Sequence, residues 1–198
     1  MVVLHALRCV GFSSVGAVSD VTGLPESDVE SELIDLAVAG LVTRVPGEFG
    51  GWGLTSAGRA ADAEWVADEL AASGARPVVA KAYDEFLVLN PEVLDLSAAW
   101  QMRPADGGMV PNDHTDADYD SRVLDRFADL HQRLEAACEG LFGTVLRFRR
   151  YQVRLTDALT RARAGSRVDV TDGTRSYHTI WAQLHEDLLA TLGIPRDR

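Results

Sequence analysis

Apolar residues recur every three or four positions along most of this chain, a period that predicts helices. Residues 1–10 read as the first helix, with Val3, Leu4 and Leu7 inward and Gly11 as its stop. Ser13 or Ser14 is placed to cap a second helix by accepting a backbone N–H. Val15, Val18 and Val21 supply its contacts, and Gly23 ends it. A third helix is predicted over 24–40, with Pro25 in its first turn. Its buried stripe reads as Val29, Leu33, Leu36 and Leu41, with Ile34 and Val38 beside it. The period then changes. Residues 42–45 and 52–54 read as short strands around a Gly/Pro turn at 46–51. Thr55 is placed to cap an Ala-rich helix running to about residue 72.

Beyond Ser73-Gly74 the pattern predicts a second, helical domain. Residues 78–89 are amphipathic, carrying Val79, Tyr83, Phe86 and Leu87. Asn90-Pro91 predicts a break, because a residue before proline disfavours the helical region. A restart over 91–101 carries Val93, Leu94, Leu96 and Trp100. Residues 102–117, with Pro104, Gly107, Gly108 and Pro111, read as a polar loop long enough to suggest function. Helices follow over 118–141, 148–163 and 176–192, with a connector at 165–173. No internal repeat is visible. The expected fold is mainly α: an N-terminal winged helix of three helices plus a small β-hairpin over 1–72, then a helical domain over 73–198.

One stretch carries a family likeness. "LAVAGLVTR", a Gly-rich turn and then "GWGLTSAGR" resemble the wing and following helix of bacterial winged helix-turn-helix regulators of the MarR and PadR type. Their L-T-x-x-G box corresponds here to Leu54, Thr55 and Gly58. The resemblance implies a winged-helix fold, DNA contact and transcription regulation. The segment is also similar to winged helices that accompany phosphoenolpyruvate-utilising enzymes in actinobacteria, which implies docking on a partner enzyme. Winged helices serve in both ways.

Charge separates those two implications. The net charge is −11, and residues 1–72 alone carry a net of −8. The predicted reading helix holds Glu26, Asp28, Glu30, Glu32 and Asp35 and no Lys or Arg. DNA binding normally sets cations against the phosphates. Ser27, Ser31, Arg44 and Arg59 remain as the candidate DNA contacts. Arg8, Arg44 and Arg59 are the basic residues before position 73.

The helical domain supplies a different candidate set. Trp100, Gln101 and Arg103, then Asn112 and His114, then Tyr151 and Arg154, then Tyr177, His178, Trp181 and His185 are polar or aromatic groups that need partners if buried. Together they suggest a site for a small anionic effector. A basic run, Arg147, Arg149, Arg150, Arg154, Arg161, Arg163 and Arg167, points to the same ligand class. The carboxylates of 106–120 are placed to neutralise it. Cys9 and Cys138 fit no metal spacing and read as small buried residues. His178 and His185, seven apart, are too far separated to chelate one ion as neighbours. No metal or cofactor is expected, and no P-loop, G-x-G-x-x-G or G-x-S-x-G marks an enzyme. No apolar run is long enough for a bilayer, and residues 2–10 lack the flanks of a signal peptide, so a cytoplasmic location and no membrane contact are expected. The overall expectation is a homodimeric regulator-like protein with DNA or a protein as its partner.

Overall fold

A computed structural model describes residues 1–47, 50–105 and 107–195. The turn residues at 48–49, Asp106 of the acidic stretch and the last three residues lie outside the described residues. The protein is mainly helical, with two small antiparallel hairpins. It divides into two compact units, residues 1–76 with 186–198, and residues 77–185.

The first unit begins with α1 (Val2–Val10), α2 (Val15–Thr22) and α3 (Glu26–Val38). Strands β1 (Val42–Val45) and β2 (Gly51–Leu54) pair antiparallel, with Arg44 opposite Trp52. An isolated bridge adds Ser13 to the hairpin, since Ser13 and Trp52 exchange backbone bonds of 2.9 and 2.8 Å. Helix α4 (Ser56–Ser73) follows. Val3, Leu4, Leu7, Val18, Val29, Leu33, Leu36, Val42 and Trp52 form one buried cluster. The predicted inward faces of α1 and α2 therefore meet as expected. The stripe of α3 is narrower than its sequence suggests. Ile34 is 51% exposed and Val38 86% exposed, so neither belongs to the core.

The L-T-x-x-G box has a physical role here. Thr55 Oγ1 accepts from the Gly58 N–H at 3.0 Å, capping α4. The same hydroxyl donates to Gly40 O at 2.8 Å, while the Thr55 N–H donates to Leu41 O at 3.0 Å. The start of α4 is thus clamped onto the turn that follows α3. Gly58 is required because a Cβ there would lie 1.9 Å from Leu41 O.

The second unit holds α5 (Arg76–Gln101), β3 (Met102–Ala105), β4 (Gly108–Pro111), α6 (Ala117–Thr144), a 3-10 turn (Leu146–Phe148) and α7 (Arg149–Arg163). Another 3-10 turn (Arg167–Asp169) leads to α8 (Tyr177–Leu192), whose residues from Glu186 onward belong to the first unit. Two sequence expectations are corrected. Pro91 does not break the helix but lies inside α5. Val79, Ala82, Phe86, Leu89, Val93, Leu96 and Trp100 form one buried stripe running past it. Burial of that stripe outweighs a proline cost of about 3 kcal/mol. Residues 102–105 and 108–111 pair as a hairpin, with Met102 opposite Pro111 and Arg103 opposite Val110, where the sequence predicts a loop. Among the described residues, no helix is long and apolar enough to cross a membrane.

Candidate functional site

Helix α3 presents the first candidate surface. Its inward residues are Val29, Leu33 and Leu36. The helical step of about 100° then turns Ser27, Ser31, Ile34 and Val38 onto one outward line. All four are exposed, flanked by exposed Glu26, Asp28, Glu30 and Asp35. Two large apolar residues thus sit in an acidic rim. Ser27 Oγ donates to Asp28 Oδ1 at 3.2 Å, and Glu32 pairs with the N-terminal ammonium at 2.9 Å. The basic candidates give this face little relief. Arg44 lies 5.6 Å from the centroid of the Trp52 ring, a cation–π contact. Arg8 is ion-paired with Glu186. Arg59 is exposed on α4.

A second cluster lies inside the same unit. His5 and Cys9, one turn apart on α1, are both buried. His5 Nδ1 is 3.0 Å from Asp62 Oδ1 of α4, and His5 Nε2 is 3.1 Å from Asp187 Oδ1. Cys9 Sγ is 3.6 Å from His5 Nε2. Thr191 Oγ1 lies 2.6 Å from Asp187 O and 3.0 Å from Asp187 Oδ1, and its hydroxyl donates to this pair of acceptors. Burial opposes charge on the imidazole, but the Cys9 sulfur, Asp187 and Asp62 outweigh it and hold His5 well above its ordinary pKa. Cys9 is buried, as the sequence suggests, but His5, Asp62, Asp187 and Thr191 were not singled out from the sequence. The available signal was the i, i+4 spacing of His5 and Cys9, which puts both on one helical face.

In the second unit the expected ligand residues fall into separate groups. Trp100, Asn112 and His114 do meet. The Trp100 and His114 rings lie 4.6 Å apart. Asn112 Nδ2 donates to Trp100 O at 3.0 Å and to Asp120 Oδ1 at 2.8 Å. Asp120 Oδ2 is 2.9 Å from His114 Nδ1. His114 is held in the left-handed region, at φ 59°. Beside this network is a cleft of about 480 Å³ lined by Trp100, His114, Asp120, Asp125, Arg163 and Arg167. Its lining carries the carboxylates of Asp120 and Asp125 beside the guanidinium groups of Arg163 and Arg167.

The other candidates have their own partners. Gln101 is exposed, and Arg103 Nη2 is 3.5 Å from Asp113 Oδ1. Arg154 Nη2 donates to Gln183 Oε1 at 2.7 Å and lies 5.9 Å from the Tyr151 ring. The Tyr177 hydroxyl is 3.3 Å from His131 Nδ1 in a buried contact. His178 Nδ1 meets Ser97 Oγ at 2.8 Å. Trp181 Nε1 donates to Asn90 Oδ1 at 2.9 Å, and His185 packs 5.1 Å from the Phe86 ring. In the basic run, Arg161 pairs with Asp169 and Arg163 with Asp125, both outside residues 106–120, while Arg167 donates to His114 O. At Arg161 and Arg163 the expected neutralisation by the acidic stretch is thus replaced by Asp169 and Asp125.

No family model, no curated protein and no solved structure matches this chain.

Proposed function

We propose that the first unit is a winged helix that acts as a protein-docking module, with the outward face of α3 as its contact surface. The carrying observation is exposed Ile34 and Val38 inside a rim of Glu26, Asp28, Glu30 and Asp35. A DNA-reading helix would place polar or basic side chains there. An apolar centre with a charged rim instead matches the anatomy of a protein interface. Charge complementarity fixes the partner's chemistry as an apolar patch bordered by Lys or Arg. The order helix, bridge, helix, helix, hairpin, helix supports the winged-helix assignment. The second unit supplies a helical platform in this regulator-like protein.

Fluorescence anisotropy on the full chain tests the docking reading, using a labelled amphipathic Leu/Lys helical peptide as the probe. Binding is expected, at least fivefold weaker for Ile34→Asp or Val38→Asp and weaker at high salt. Both positions are exposed, so neither change should unfold the unit. Equal binding by wild type and both variants would remove the proposal.

A further inference from the structure

We propose that His5, Cys9 and Asp187 form a zinc site in the first unit, with Asp62 as the residue that positions His5. The three ligand atoms, an imidazole nitrogen, a sulfur and a carboxylate oxygen, all lie within 4.8 Å of one another, and all three residues are buried. Zinc takes nitrogen at about 2.0–2.1 Å, sulfur at about 2.3 Å and oxygen at about 2.0–2.2 Å, tetrahedrally. Such bonds put neighbouring ligand atoms about 3.3–3.6 Å apart. The Nε2–Sγ separation of 3.6 Å and the Nε2–Oδ1 separation of 3.1 Å come close to those edges, and the third edge is within 4.8 Å.

The surroundings fit as well as the ligands. Asp62 Oδ1, 3.0 Å from His5 Nδ1, is placed to accept an Nδ1–H hydrogen bond, the tautomer that leaves Nε2 free to ligate between Cys9 and Asp187. A carboxylate behind a ligating histidine fixes its tautomer and raises its basicity. Zinc binding would release the Cys9 thiol proton and any proton on His5 Nε2 and replace the weak contacts among the three ligand atoms with metal bonds. Thiolate with imidazole selects zinc over magnesium or calcium. Three protein ligands leave a fourth position for water or the second Asp187 oxygen. Bound metal would tie α1 to the 186–192 segment, while Asp62 links α4 to the same centre.

The test uses the full chain, stripped with a chelator and then given zinc or cobalt alone. About one equivalent of zinc should bind and raise the Tm by several degrees. Cobalt should give the near-ultraviolet thiolate charge-transfer band. Cys9→Ser should abolish that band, Cys138→Ser should keep it, and Asp62→Asn should weaken binding about 10–100-fold. Zinc should also protect Cys9 from alkylation in the wild-type chain, a readout independent of whether the variants fold. Failure to bind, cobalt binding without the band, or undiminished binding by folded Cys9→Ser would overturn the site. The proposal does not rest on the docking reading.

Discussion

Gly58→Ala should destabilise the first unit, although alanine is the better helix former. In an open helical position the change gains about 1 kcal/mol. At Gly58 the new Cβ would stand 1.9 Å from Leu41 O and 2.9 Å from Leu41 C. Those are backbone atoms, so no flexible side chain can swing aside. The Leu41 carbonyl also accepts the Thr55 N–H, so moving it disturbs the clamp at the start of α4. Overpacking of this kind costs about 3 kcal/mol at the upper end of its usual range. The net loss is therefore about 2 kcal/mol, or a Tm drop of about 4–8 °C for a chain of this size. The internal control is Gly143→Ala, also on a helix but with nothing within 4 Å of its Cβ, which should stabilise by about 0.5–1 kcal/mol. Urea and thermal unfolding followed by circular dichroism and tryptophan fluorescence read both variants. A Gly58→Ala protein as stable as Gly143→Ala would refute the steric reasoning.

Further outcomes follow from the same packing and electrostatics. Leu33→Ala, at a fully buried position of the first core, should cost about 2–5 kcal/mol in chemical denaturation. His131 has its pKa lowered by burial, partly offset by Glu135, so its contribution is present above the ordinary histidine value and is lost as pH falls through the lowered folded value. The stability difference between wild type and His131→Gln should accordingly be flat above about pH 7 and shrink towards pH 5; a difference that grows on acidification would contradict the sign. Burial pushes the Cys138 thiol up to about 12, so mass spectrometry should find it unalkylated in the native protein at pH 8 and modified only on unfolding.

The elements of the first unit were legible because their signals are local. Ser14 accepts from the Ala17 N–H, Thr55 caps α4, and Gly23 takes the left-handed conformation that ends α2. Deciding which face of α3 is buried required knowing its neighbours. Ile34 and Val38 extend the apolar pattern of Leu33 and Leu36 in sequence, yet both are exposed, and that difference carries the functional reading. Pro91 misled because a local backbone rule was set against the long apolar stripe of α5. The hairpin was hidden because Pro104, Gly107 and Gly108 read as loop residues, although Asp106-Gly107 between two runs is also a hairpin signal. The His5–Cys9–Asp187 cluster joins positions far apart in the chain, so the sequence offered only its i, i+4 half. Scattered polar residues suggested one effector site in the second unit, but separate hydrogen-bond partners account for most of them.

The most direct measurement is the binding of the full chain to a mixed-sequence DNA duplex across a salt series, beside the basic amphipathic peptide. With its acidic rim and exposed Ile34 and Val38, α3 should leave the duplex unbound even at low salt while the peptide binds. Duplex binding whose logarithmic affinity falls linearly with the logarithm of salt, and which Arg44→Ala weakens, would contradict the docking account and restore a DNA reader.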